Sequence, residues 1–428
     1  MSRFSARRPT YRLLLLLPLL ALGSCGNDNL GAVITVPNAV VVSDLNGDGL
    51  LDVAVVAAQI DQTGLTQPPG LLGTMVNIHA TPGQFQPAVQ YETSGAPPSG
   101  LAVGDLTGNG SHDLVSANFN AGTLSLFTET SPTSAVYNKA ININVGGHPN
   151  DVQVADINGD GLPDLIIADD TGKVTYLIQN SASPGTFLAP VSLPITNRAI
   201  SVAVGDLNGD GLPDLAVTSF DVNGDFGLVS VYFQNPSAPG TFLSTPTTIV
   251  ALGEPSQIRI ADVNQDGSND LVIACQGLGL AADPTADPSS SAYQESLYGA
   301  MVILQNAAGP GTFGTPVTYT GVQGNISLAV ADFNMDGLPD IAMVSLYPQG
   351  QGYVITMQQD PSNPGAFLGT GTYAGSGQPV SLVIGDMDND GLPDLVVADT
   401  TGAVWYKNQA STPGTFALQS QIGQLGTQ

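Results

Sequence analysis

The sequence predicts an all-β chain built as a seven-bladed β-propeller of four-stranded antiparallel blades. Three observations predict it. One nine-residue acidic pattern recurs seven times, its first aspartates separated by 61, 51, 50, 56, 70 and 54 residues. Each copy joins two short apolar runs, such as SVAVG (201–205) before a copy and LAVTS (215–219) after it. Each period then holds two further extended runs, giving four short strands in one repeat. A four-stranded unit cannot bury both faces alone, and stacking such units radially buries them.

Composition agrees. The chain has 428 residues with 51 Gly and 31 Pro, which suits many tight turns. Only 11% of residues are charged and 42% are hydrophobic, which excludes global disorder. Gly and Pro follow no triplet period, which excludes collagen. The formal net charge of −27 argues against nucleic acid, which needs a basic footprint.

From the N-terminus, residues 1–24 read as an export signal. Arg3, Arg7, Arg8 and Arg12 precede an apolar run from Leu13 to Leu22, too short to span a bilayer comfortably. The run ends in LGSC (22–25), which resembles the lipobox of bacterial lipoproteins. That resemblance implies cleavage before Cys25, lipidation of its thiol and a short tether over 25–31. The alternative is an ordinary signal peptide cut near Ala21 or Ser24. Gly26 after the cysteine, by resemblance to Gram-negative sorting, favours the outer membrane. With Cys25 lipidated, Cys275 alone remains, so no internal disulfide is expected. Cys275 lies in the apolar run LVIAC (271–275) and reads as a buried, inert thiol.

The propeller is expected over 32–428. Its seven acidic loops begin at Asp44, Asp105, Asp156, Asp206, Asp262, Asp332 and Asp386. Positions 1, 3, 5 and 9 carry oxygen-bearing side chains, and position 7 offers a carbonyl. These can converge on a hard cation. The ligand sets are Asp44, Asn46, Asp48, Leu50 and Asp52; Asp105, Thr107, Asn109, Ser111 and Asp113; Asp156, Asn158, Asp160, Leu162 and Asp164. The remaining four are Asp206, Asn208, Asp210, Leu212 and Asp214; Asp262, Asn264, Asp266, Ser268 and Asp270; Asp332, Asn334, Asp336, Leu338 and Asp340; Asp386, Asp388, Asp390, Leu392 and Asp394. Position 6 is glycine throughout, as a sharp turn around an ion requires. Oxygen-only ligands on a flexible loop favour Ca2+, up to seven ions. Simple Asx-rich turns would not need converging carboxylates, which repel by about 1–4 kcal/mol per close pair. The Asp105 loop has fewest acids and should bind most weakly; the Asp386 loop, with four, should bind most tightly if geometry is equal.

After each third run comes PGxF, at Pro82–Phe85, Pro184–Phe187, Pro239–Phe242, Pro310–Phe313, Pro364–Phe367 and Pro413–Phe416. The second period has SPTSAVY (131–137) instead. Together the loops and runs resemble the FG-GAP and VCBS repeats of the integrin α-subunit propeller and of many bacterial exported proteins. The resemblance covers roughly residues 31–425. It implies seven blades with calcium between the first and second strands of each. No FG-GAP pentapeptide and no Arg-Gly-Asp sequence is present, so integrin ligand specificity does not carry over. Either AVITV (32–36) or FALQSQI (416–422) completes the last blade.

Calcium loops would share one face and variable loops the other. The long segments 276–299, 59–72 and 220–227 fall on the second face, where binding usually evolves on a rigid scaffold. Tyr293, Glu295 and Tyr298 form a candidate contact surface, and a nonfunctional insertion is the alternative. Asp221, Asn223 and Asp225 read as a tight hairpin rather than an eighth cation site. Catalytic constellations are scarce: His79, His112 and His148 lie in different repeats, and His112, inside the second loop, should be exposed. Trp405 reads as core or groove packing. The expected function is an exported, membrane-anchored calcium-binding module for a protein or glycan. The alternatives are a polysaccharide-acting enzyme using Asp283, Asp287 and Glu295, or a structural envelope component.

Overall fold

The computed structural model describes residues 33–61, 68–220, 227–251, 253–276, 299–320, 324–346, 352–423 and 425. The strands run from Val33 to Gly423 and form seven four-stranded antiparallel sheets. Each sheet takes its four strands in unbroken chain order. The first blade comprises Val33–Ser43, Asp52–Asp61, Leu71–Met75 and Val89–Glu92. The first strands line the axis and pack against their neighbours all round, Pro379–Gly385 of blade seven closing onto Val33–Ser43. FALQSQI therefore completes the last blade, within Phe416–Gly423, and AVITV leads into the inner strand of blade one. The segments 1–32, 62–67, 221–226 and 277–298 lie outside the described residues. With them lie Cys25, Asp221, Asn223, Asp225, Asp283, Asp287, Tyr293, Glu295 and Tyr298.

The unbroken apolar runs follow from the stacking. Side chains alternate faces along a strand, so a blade buried on both sides needs hydrophobes at consecutive positions. In Asp164–Asp169, Leu165 and Ile167 join the core shared with blade two, while Ile166 and Ala168 join the core shared with blade four. Seven such cores fill the seven gaps between blades. The fourth strands are outermost, and in blades one to three they are half-buried or exposed throughout.

Every inner strand carries one register shift at the same place, around Asn38, Ser99, Asn150, Ile200, Ser256, Ile326 and Val380. A β-bulge strengthens local twist and re-aims the residues around it. In blades two to seven the bulge sits at the end of the inner strand remote from the acidic loop, and in blade one five further paired residues, Val33 to Pro37, precede it.

Trp405 seals the joint between the last and first blades. It is 6% exposed and packs in one cluster with Val53, Val55 and Met75 of blade one and Val396 of blade seven. Beside this packing, Asn77 Nδ2 donates to the Met387 carbonyl across the joint (2.7 Å). Trp405→Ala should cost about 3–5 kcal/mol in chemical denaturation. A loss under about 1 kcal/mol would show that this joint carries no special share of the stability.

Candidate metal centre

Each acidic loop is shaped by its own carboxylates. In the third loop, Asp156 accepts backbone N–H bonds from Gly159 (2.7 Å) and Gly161 (2.8 Å). Asn158 Oδ1 accepts from the Asp160 N–H (2.9 Å), and Asp160 Oδ1 from the Leu162 N–H (2.9 Å). Asp164 accepts from Ile157 (3.0 Å) and from Gln179 (2.7 Å) on the third strand. The chain thus curls around a knot of oxygen atoms. Two residues per loop take the left-handed conformation: position 6, always glycine, and position 4, which is Gln265, Met335 and Asn389 in three loops. Non-glycine residues are uncommon there, and position 4 was not picked out by the sequence pattern.

The ninth-position aspartates are the buried members. All seven are 0% exposed. Burial raises Asp52 to about 7, against the lowering effect of backbone bonds from Asn77 and Leu45, with Asp48 and Asp44 adding to the rise. Asp164, Asp214, Asp270, Asp340 and Asp394 are raised to about 6, burial being the largest cause in each. Neighbouring loop carboxylates add to the rise at every one of them. Among the described residues no lysine or arginine pairs with the loop acids of blades one to six. A hard cation bound by oxygen fits this donor set, because it supplies the missing positive charge.

Two loops differ. In the second, Thr107 donates to Asp113 Oδ2 (2.9 Å) and Ser111 donates to Asp113 Oδ1 (3.0 Å). These hydroxyls satisfy the buried carboxylate without a cation, so this donor set fits a metal least well. His112 is half-buried rather than exposed: its N–H donates to Glu129, and its carbonyl accepts the Tyr137 hydroxyl. In the seventh loop one oxygen each of Asp386, Asp388 and Asp394 lie within 4.8 Å of one another. The condition of equal geometry fails there. Lys407 donates to Asp388 and, at 2.8 Å, to Asp390. Partial burial pulls the ammonium pKa down, but the two carboxylates outweigh it and the net shift is upward. The corresponding positions in the other blades are Val76, Thr128, Ile178, Phe233, Leu304 and Gln358, none of them cationic. The only loop with Asp at position 3 is therefore the only one faced by a lysine, which returns its local charge to that of its neighbours.

Sequence reasoning missed the residue that locks each loop in place. In blade three it is Gln179. Its N–H holds Asp164 (2.7 Å), its Nε2 donates to the Pro163 carbonyl (2.6 Å), and its Oε1 accepts the N–H of Gly185 in PGxF (3.2 Å). Asn77, Gln234, Gln305, Gln359 and Asn408 repeat the pattern, with Glu129 in blade two. QN recurs after the third run in blades three, four and five (179–180, 234–235 and 305–306), and that repeat was the available signal. The PGxF glycine then packs on the preceding blade's loop. A Cβ on Gly240 would lie 2.7 Å from Asn158 Cβ, and one on Gly414 would lie 3.0 Å from Asn334 Cβ.

The raised aspartates give a pH dependence. In the cation-free protein the folded chain holds these protons up to about pH 6–7, whereas the unfolded chain releases them near 3.8. The folded state binds more protons across that window, so stability falls as pH rises through it. Thermal melts of calcium-depleted protein should show a higher melting temperature at pH 5.5 than at 7.5. Added calcium should raise the pH 7.5 value and flatten the slope. A flat calcium-free profile would contradict this electrostatic picture.

Comparison with known proteins agrees with the fold. The profile of the FG-GAP-like repeat matches residues 105–167, 156–217 and 336–397. The chain is 28% identical over 187 residues to integrin alpha pat-2 of Caenorhabditis elegans, covering 39% of this chain and 14% of that protein. It is 30% identical over 179 residues to mouse integrin alpha-IIb, covering 38% of this chain and 17% of that protein. The match thus spans less than a fifth of either relative. Among solved structures, a putative 6-phosphogluconolactonase from Bacteroides uniformis aligns with a TM-score of 0.55 at 13% identity, over 86% of this chain and 96% of that one. At that identity the likeness concerns the fold alone.

Proposed function

Because the chain is a seven-bladed β-propeller carrying FG-GAP-like repeats and related to integrin α chains, we propose that it is an exported, calcium-stabilised interaction module. One observation carries the calcium reading: buried ninth-position aspartates, crowded by further acids, have no cationic partner in blades one to six among the described residues. In each loop the side chains of positions 1, 3, 5 and 9, with the backbone carbonyl of position 7, would hold the ion. A bound ion would supply positive charge and cross-link the loop. The chain's own groups do the rest, since the third-strand amide orients the ninth aspartate and the PGxF turn covers position 3. The metal would rigidify the scaffold and react with nothing.

The N-terminal pattern supports export, with cleavage before Cys25, lipidation there and anchoring to a membrane, the outer membrane by the residue that follows. The ligand is a protein or glycan that docks on the face opposite the acidic loops. That face carries the connections between second and third strands, which vary in length while the acidic loops do not.

Affinity capture tests this reading. The chain from Gly26 onward, immobilised in millimolar calcium, is loaded with solubilised envelope and polysaccharide fractions and eluted with chelator. One enriched protein or glycan is expected. An empty eluate from folded, calcium-loaded protein would contradict the interaction role. A second prediction concerns the tethered ammonium. Lys407→Gln should strengthen calcium binding at the seventh loop by about 2 kcal/mol or more, twice the value for two unit charges near 4 Å in bulk water because the ion is divalent. Calorimetric titration of both proteins measures it. Unchanged or weakened binding at the seventh loop would contradict competition between Lys407 and the ion.

A further inference from the structure

The axial channel holds one charged group that the scaffold leaves unanswered. Three residues before the first loop aspartate, the inner strands present Val41, Ala102, Gln153, Ala203, Ala329 and Val383 in six blades, and Arg259 in the fifth. The small neighbours leave room for the guanidinium. Arg259 borders two cavities along the axis, one with polar lining of about 250 Å3 and one with aliphatic lining of about 370 Å3. The polar cavity lies at the bulged ends of the inner strands, on the face opposite the acidic loops.

Most polar groups of this cavity are already engaged between blades. Ser201 donates to Asp151 (2.7 Å), Ser327 donates to Gln257 Oε1 (2.8 Å), and Ser381 accepts the Val40 N–H (3.4 Å). Asp151 also accepts its own strand's Val152 N–H (2.9 Å) and the Val202 N–H (3.2 Å), so both of its oxygens are in use. Arg259 is different. Its guanidinium makes one hydrogen bond, from Nη1 to the Ile258 carbonyl (3.0 Å), and no carboxylate lies within 4.0 Å among the described residues. A guanidinium has five N–H donors, and Arg259 lines the cavity with all but one of them lacking a protein partner among the described residues. Desolvation lowers its pKa, and the charge of Asp151 acts against that shift. The Gln153 amide and Gln257 Nε2 add further donors without protein partners among the described residues. Free donors therefore outnumber free acceptors, in a chain that is otherwise strongly acidic.

We propose that this channel mouth binds the carboxylate of a sugar acid, with Arg259 as its counter-charge and Gln153 and Gln257 as hydrogen-bond donors. A planar guanidinium matches a carboxylate in two parallel hydrogen bonds. The hydroxyl and amide lining suits the hydroxyl groups of such a ligand. The volume, about 250 Å3, falls just under the roughly 300 Å3 at which drug-sized pockets begin, so it takes one small residue. The ligand is either a free sugar acid or the uronic terminus of a glycan. This inference rests on the reading of that face as the binding face, and not on calcium in the loops.

Calorimetric titration of the calcium-loaded protein with glucuronate, glucose and a glucuronate-terminated disaccharide tests it. Glucuronate should bind and glucose should not, and tighter binding of the disaccharide would identify a glycan terminus. Arg259→Met should weaken glucuronate on the order of ten- to a hundredfold, the cost of a lost charged hydrogen bond. Gln153→Ala should weaken it less, with an unchanged melting temperature, so the site stays testable if the arginine variant folds poorly. Silence of the wild type toward both acidic probes, or equal affinity in folded Arg259→Met, would overturn the proposal. Capture of a neutral partner alongside such silence would leave the interaction role standing and remove only the carboxylate site.

Discussion

The buried ninth aspartate is the group on which each blade depends. It accepts one N–H from the start of its loop and one from the third strand, and so ties three of the four strands together. An ionised carboxylate in that position is costly unless it is paired. Two backbone donors offset part of that cost, and the acids at positions 1 and 5 increase it again. In blades one and three to six no cationic side chain among the described residues offsets the rest, and the proposed calcium would. The second blade takes another route, converting position 3 and position 7 to hydroxyl donors aimed at Asp113. The seventh pairs its extra acid with Lys407. One electrostatic demand thus has three chemical solutions in one ring.

The same contacts couple neighbouring blades. Gln359 of blade six donates to the Val263 carbonyl in the loop of blade five, and Asn408 of blade seven to the Phe333 carbonyl of blade six. Asn77 reaches the Met387 carbonyl and so carries the pattern across the closing joint. A loop that loses its shape therefore disturbs the next blade's PGxF turn. Cation loss is expected to propagate around the ring instead of staying local, as nearest-neighbour stacking implies.

The architecture was legible because its demands are periodic. Seven copies of one loop, apolar runs and PGxF turns carry blade number and strand order, and the strands fall where the runs place them. Ring closure was not legible, since AVITV and FALQSQI both read as strands and only packing around the axis separates them. Gln179 and its counterparts recur as QN in only three blades, with Asn, Glu or Gln-Asp in the others, and their role shows only when their partners are in view. The acid count alone favoured the seventh loop, but the opposing charge of Lys407 comes from a strand thirteen or more residues further on. His112 looked exposed by its place in a turn, yet it is half-buried, its backbone N–H donating to Glu129 and its carbonyl accepting the Tyr137 hydroxyl. Arg259 carries no local motif and stands out only when seven inner strands are aligned about one axis.

The two proposed roles fall on opposite faces: cation cross-linking at the acidic loops, and carboxylate binding at the bulged channel mouth with Arg259. The central claim is that the loops need cations, and it is tested most directly by counting and placing the ions. A crystal structure of the protein grown in calcium, with anomalous differences recorded, would do so. The account predicts anomalous peaks within the loops that begin at Asp44, Asp156, Asp206, Asp262 and Asp332, with the Asp386 loop weaker for its lysine and the Asp105 loop weakest of all. Empty acidic loops, or an ion held first by the Asp105 loop, would contradict it.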